Sequence, residues 1–180
     1  MNTKKLAQTA VMAALTSLAG MTLRWGSPAL VPFSVLPVLV LLSGIILGAE
    51  YGALAMLAYV GLGLLGLPVF ASPPFGGFGY ILKPTFGYLL GYMGAAYVTG
   101  KLYRKNSLGY ALLAVLGGLT VLYLVGLSYL YIVIRWVLDR PATVAGVIAT
   151  GFLPFIVSDL IKAGIAAWVG NEVVRRRKDA

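Results

Sequence analysis

Residues 152–170 read "FLPFIVSDLIKAGIAAWVG", an aspartate and a lysine set in a run otherwise suited to hydrocarbon. At the centre of a membrane helix each such charge costs about 2.5–3.5 kcal/mol on insertion scales. Asp159 and Lys162 are three residues apart, so on a helix they share a face one turn apart. Two readings stand open. The pair neutralises itself as a helix-packing device, or it marks a ligand site, which is the default reading of an ionisable residue inside a membrane. Ala163, Ala166 and Gly170 continue near that face. Small residues there leave room for a neighbouring helix or for a ligand.

Composition supports a bilayer as the solvent. The chain has 180 residues, 60% hydrophobic and 11% charged, against about 25% charged in a soluble globular chain. Mean hydropathy is +0.93. One helical bundle over 1–180 accounts for the length, with no second domain, internal repeat or low-complexity tract. The net charge of +9 does not point to nucleic acid, because of where the charges lie. Lys4, Lys5, Lys101, Arg104, Lys105, Arg175, Arg176, Arg177 and Lys178 flank apolar runs at the start, middle and end. That is the positive-inside pattern of a multi-pass protein.

The expected fold is all-α, a polytopic membrane bundle of six spans. They are read as Leu6–Leu23, Val35–Ala49, Tyr51–Leu67, Pro84–Tyr103, Leu108–Leu138 and Thr143–Val174. Prolines at 28, 32 and 37 precede or open the second span, and little more than Glu50 separates it from the third. Spans two to four are near or below the roughly 17–25 residues a crossing helix needs. The fifth and sixth run long, which implies tilt or extension beyond lipid. Both termini are basic, so both are expected in the cytoplasm and the number of spans is even. The outer loops then hold Arg24, Lys83, Arg135 and Arg140, with Asp139 offsetting one of them. The first span also has the layout of a secretory signal, with Ser17-Leu18-Ala19 as a candidate cleavage site. Removing it would place the basic loops on the wrong side, so it is expected to stay.

One connection stands apart. "LPVFASPPFGGFGYILKPTFGY", residues 67–88, interleaves prolines at 68, 73, 74 and 84 with glycines and aromatics. It is too apolar for a free solvent loop and too broken for a helix. Irregular backbone at membrane depth is tolerated where it is buried in protein or lines a cavity. A lid or floor over a binding site is the favoured reading; an ordered turn packed on the bundle is the other. Lys83 lies at its exit, just before Pro84. The residue before proline is biased to extended backbone, and from there a lysine stem reaches either the site or water.

Enzyme chemistry is not expected. There is no cysteine and no histidine, so thiolate metal sites and Ser–His dyads are impossible. Neither a phosphate loop nor a G-x-S-x-G elbow is present. Of five acidic residues only Asp159 is clearly at membrane depth. A carboxylate is a pure acceptor suited to ligand N–H groups, whereas Lys162 and Lys83 are donors suited to a ligand carboxylate. The aromatics of 70–88, Tyr80 among them, suit an apolar middle. In the first span Ala10 and Ala14 make a small-xxx-small pair that permits close helix approach.

Three segments carry a family resemblance: "VPFSVLPVLVLLSGIILGAEYGALAMLAYVGLGLLGLPVFA" (31–71), "GGFGYILKPTFGYLLGY" (76–92) and "LPFIVSDLIKAGIAA" (153–167). In order and spacing they resemble the BioY family, the biotin-binding S components of energy-coupling factor transporters; residues 106–150 match least. The resemblance implies a six-helix S component of a prokaryotic cell membrane, with a helix-and-loop region over a site open to the outside. It implies partners as well: a transmembrane coupling protein and two cytoplasmic ATPases. No cofactor or metal is expected. The family's D-x-x-K motif falls on Asp159 and Lys162, and its coupling-protein contact on Ala10 and Ala14. The chain departs from the family in having Leu36 where glutamine is usual, followed by Pro37, and Lys83 and Phe86 where glycines are usual.

On this reading Asp159 meets one polar end of biotin and a lysine, Lys83 or Lys162, meets the other. Three helical residues rise only about 4.5 Å, so Lys162 does not easily serve the end far from Asp159. Other readings are a structural or assembly protein, an S component for a related small acid, or a carrier that needs no ATPase.

Overall fold

The computed structural model describes residues 3–23, 34–104 and 107–179; the features noted above at Arg24, Pro28, Pro32 and Lys105 lie outside them. Among the described residues there are seven α-helices: α1 Thr3–Leu23, α2 Leu36–Leu47, α3 Ala49–Leu64, α4 Phe86–Leu102, α5 Leu108–Ile132, α6 Val144–Gly151 and α7 Leu153–Asp179. A 3-10 turn, Phe78–Leu82, precedes α4, and a π turn, Val133–Val137, prolongs α5. Among the described residues there is no strand.

The α2 sequence, LPVLVLLSGIIL, is apolar all round, which is the pattern of a helix buried on every side. It takes the centre of the bundle and packs against α1, α3, α4, α5 and α7. Its 12 residues span only about 18 Å. It ends at Gly48 rather than near Glu50, where composition had placed the break. Gly48 has φ +86°, a left-handed conformation open to glycine and strained for a side chain, and Glu50 lies inside α3. Along α7, Asp159, Ala163, Ala166, Ala167, Gly170 and Val174 are buried at helical spacing, and α7 packs on α2 and α5. A Cβ at Gly170 would stand 2.8 Å from Ile45 Cγ2. The small residues after Lys162 therefore admit a helix rather than a ligand.

The span expected at Thr143–Val174 is two helices. Thr143 caps α6, its hydroxyl accepting from the Gly146 N–H at 3.1 Å. Pro154, the second residue of α7, has no N–H to continue the α6 ladder, so the axis breaks at Phe152. The span expected at Leu108–Leu138 likewise loses regular α geometry at Val133.

The outer surface is apolar. Val11, Leu15 and Leu18 on α1, Leu113, Leu116 and Leu124 on α5, and Val157, Ile161, Ile165 and Trp168 on α7 are exposed. So extended an apolar surface calls for lipid rather than water. Leu108–Val137 and Leu153–Arg176 are long and apolar enough to cross a bilayer, whereas α2 and α3 are apolar but shorter. The protein is a membrane helical bundle.

Residues 67–88 fold as both readings of the sequence anticipated: an ordered turn packed on the bundle that also covers a cavity. Phe70 is fully buried in contact with Tyr59 on α3, edge to face at 5.8 Å. The rings continue through Tyr80, 4.5 Å from Phe70, to Phe86 and then Tyr129 on α5. Backbone bonds close the turn, Gly77 N–H donating to Gly63 O at 2.7 Å and Phe70 N–H to Phe75 O at 2.8 Å. Tyr129 Oη donates to Ile81 O, tying α5 to the lid.

Candidate functional site

Beneath the lid lies a cavity of about 380 Å³, within the range of small-molecule sites. Its walls come from five places. The α2 entry supplies Ser34, Leu36 and Pro37; the lid supplies Ala71, Ser72, Tyr80 and Thr85; α4 supplies Tyr88, Leu89 and Tyr92; α5 supplies Leu122, Tyr123 and Leu130; and α6 with α7 supplies Thr150, Gly151, Phe155, Asp159 and Lys162. Along α5, from Tyr123 to Leu130, the lining runs about 10 Å. Thr85 to Tyr92 and Gly151 to Asp159 run in parallel, so the cavity has a deep end at Asp159 and a lid end at Thr85.

At the deep end Asp159 is only 6% exposed. Its Oδ1 accepts from Lys162 Nζ at 2.8 Å and its Oδ2 from Tyr123 Oη at 2.7 Å. The expected i,i+3 pair is formed. It is a buried ion pair, which needs further hydrogen bonds to offset desolvation, and Tyr123 supplies one from another helix. Ser158 Oγ adds a second acceptor for Lys162, at 3.4 Å. A carboxylate offers about four acceptor positions. Two are taken, so Asp159 retains capacity for ligand N–H groups on the side that faces the cavity.

Aromatic rings fix this end. Tyr123 stands edge to face with Tyr88 at 6.3 Å and with Phe152 at 4.8 Å. Tyr88 Oη donates to Gly151 O at 2.8 Å, fastening α4 to the break between α6 and α7. Gly91 on α4 and Gly126 on α5 allow these helices to meet closely: a Cβ on Gly126 would lie 2.5 Å from the Tyr88 ring. The middle of the cavity is apolar, walled by Leu36, Pro37, Leu89, Leu122 and Phe155.

The lid end carries neutral hydroxyls. Ser72 Oγ and Tyr80 Oη are 2.6 Å apart, with Thr85 Oγ1 at 3.5 Å from Tyr80 Oη. Tyr80 is buried and lines the cavity. Lys83 is exposed and absent from the lining. In a 3-10 turn residues i and i+3 eclipse, so a continued turn would stack Lys83 over Tyr80. Lys83 instead leaves the turn with φ −79° and ψ 136°, extended backbone as its place before Pro84 leads one to expect, and its side chain goes to the surface. On α1, Ala10 and Ala14 are exposed beside Val11, a free small-residue face remote from the cavity lining.

Sequence reasoning did not single out Tyr92 or Tyr123, and Tyr88 entered only among the aromatics of 70–88. The available signal was tyrosine in the middle of apolar runs, because a buried phenol needs a partner for its hydroxyl. Among the described residues no group of carboxylates could hold a metal ion.

The chain matches the BioY family over residues 1–179. It is 35% identical over 97% of its length, and 88% of the relative, to a protein described as "Probable biotin transporter BioY" from Lysinibacillus sphaericus. It is 38% identical to "Biotin transporter BioY" of Thermotoga maritima, over 77% of this chain and 78% of that one. Its fold is similar, with a TM-score of 0.77 over 97% of this chain and 95% of the other, to a crystal structure described as "the S-component for biotin from an ECF-type ABC transporter", at 23% identity. With a family match over all but the last residue, the chain belongs to the BioY family.

Proposed function

We propose that the protein is the substrate-binding S component of an energy-coupling factor transporter, and that biotin occupies the cavity under the lid. The observation that carries this is the buried Asp159 carboxylate, held by Tyr123 and Lys162 and facing an otherwise apolar cavity of about 380 Å³. Biotin's ureido ring presents two N–H groups to such an acceptor, and its thiophane ring and chain suit Leu36, Leu89, Leu122 and Phe155. Its carboxylate then lies toward Ser72, Tyr80 and Thr85.

On this reading six helices cross a prokaryotic plasma membrane, with α6 as a short outer segment and both termini in the cytoplasm. The chain binds ligand from outside and does no chemistry. Energy comes from a separate coupling protein and two ATPases, and the exposed Ala10–Ala14 face of α1 is the proposed contact.

Native mass spectrometry of protein purified without added ligand, with labelled-biotin binding to the same sample, tests the reading. Co-purified biotin that exchanges with label supports it. Absence of binding in correctly folded protein sinks it, and leaves Asp159–Lys162 as a packing pair. Uptake with and without the energising module separates a dependent S component from an autonomous carrier.

A further inference from the structure

The described lining residues include one cation, Lys162, and it stands 2.8 Å from the one lining anion, Asp159. The lining therefore carries no net charge, and the lid end adds only neutral hydroxyls. Among the described residues a ligand carboxylate meets no uncompensated positive charge inside. Electrostatic selection of an acid has to act before entry.

Three cations are close in sequence to the lining at the lid end. Lys83 lies between Tyr80 and Thr85, both of which line the cavity. Arg135 sits in the π turn just beyond Leu130, another lining residue, and Arg140 in the segment leading to α6, whose Thr150 and Gly151 also line it. The bond from Tyr129 Oη to Ile81 O joins the end of α5 to the lid two residues before Lys83, and Arg140 N–H donates to Ile134 O at 3.1 Å, so all three belong to one end of the bundle. All three are exposed and none is in an ion pair with a described residue. Asp139 is the acid beside them, so among the described residues three positive charges against one negative give +2 here. The Tyr80 and Tyr129 hydroxyls at this end are engaged at Ser72 and Ile81 O. As a topology signal these cations are misplaced, since positive charge marks the cytoplasmic side.

We propose that Lys83, Arg135 and Arg140 form a cationic collar that draws an acidic ligand to the mouth of the cavity, setting how fast it enters rather than how tightly it is held. The collar rests on the biotin reading of the site. Exposed charges act over about 8 Å at physiological salt. That is long enough to capture an anion at the rim, where water and salt weaken what the same charges add once the ligand is seated. Charges so placed change association rates and their salt dependence more than dissociation.

The test uses the full chain in phosphatidylcholine nanodiscs, with association and dissociation of labelled biotin and of a neutral biotin amide followed at low and high salt. The triple variant K83Q/R135Q/R140Q is expected to slow biotin association about tenfold at low salt. Its dissociation rate stays that of the parent, its salt dependence flattens, and the amide is unaffected. Faster dissociation with unchanged association would place a cation inside the site and overturn the collar. Equal slowing for the amide would assign the effect to loop packing, and no change in any rate would discard it. Should the triple variant fold poorly, the single Lys83→Gln change on an exposed side chain carries the same sign at smaller size. A parent that binds neither ligand would defeat the biotin reading itself, and the collar with it.

Discussion

At the deep end of the cavity two long helices, α5 and α7, present Tyr123, Asp159 and Lys162, while at the lid end Ser72, Tyr80 and Thr85 stand on or beside irregular backbone between α3 and α4. The deep end is charged, and each oxygen of its carboxylate already has a donor. The lid end is neutral, with hydroxyls that rotate to donate or accept. The difference teaches where specificity is built. Helices hold a donor–acceptor geometry that discriminates sharply, because a buried charge left unmatched is expensive. Hydroxyls on a turn tolerate variation in what they meet. The prediction is a ligand recognised strictly at one end and loosely at the other.

The largest effect expected is at Asp159. Asp159→Asn removes the charge that faces the cavity and breaks the ion pair with the part-buried Lys162, and biotin affinity is expected to fall by about 2–5 kcal/mol. Isothermal titration gives the loss in binding, and thermal unfolding in the same detergent checks that folding suffers less. Parental affinity in this variant would make the pair structural and erase the contrast between the two ends.

Next comes Tyr123→Phe, which deletes one hydrogen bond to the carboxylate. A bond to a charged group is worth about 1.5–3 kcal/mol, so a loss within that range is expected. In the Asp159→Asn background the same change is expected to do much less, because the two residues form one unit. Additive losses in the double variant would show that Tyr123 acts on the ligand directly rather than by positioning Asp159.

Tyr80→Phe probes the lid end and is expected to lower affinity by only about 0.5–1.5 kcal/mol, the scale of a neutral hydrogen bond. A loss as large as that of Asp159→Asn would reverse the ranking and make the lid the discriminating end. The smallest effect on binding, none at all, is expected for Ala10→Leu or Ala14→Leu. These lie on an exposed face of α1 away from the cavity. Uptake into cells carrying the energising module should nonetheless drop, since added bulk blocks close helix approach. Normal uptake at normal expression removes this face as a partner contact.

Much of this was legible in the residues. The spacing of Asp159 and Lys162 declares a shared helix face at membrane depth, because three residues is a local distance set by helical geometry. The interleaved prolines, glycines and aromatics of 67–88 declare an irregular segment that has to be buried or line something. Pro154 was readable too, yet the run from Thr143 to Val174 looked continuous because hydropathy does not register a missing N–H. The break at Gly48 escaped for a related reason: a left-handed φ is permitted by glycine but not announced by it.

The amino-acid sequence by itself determined the solvent, the all-helical fold class, the family, and the place of Asp159 within an apolar helix. Each depends on composition, on neighbours within a turn or two, or on a motif carried along the chain. Only tertiary structure decided what that carboxylate meets and which lysine stays with it. Tyr123 reaches Asp159 across 36 positions of chain, through packing of α5 on α7 that no periodicity encodes. Lys83 leaves the cavity because its backbone turns extended after a 3-10 turn, and Lys162 remains because α7 runs on past it. Two lysines of identical chemistry thus part company, since a side chain's direction follows from the backbone beneath it and from the helices around it.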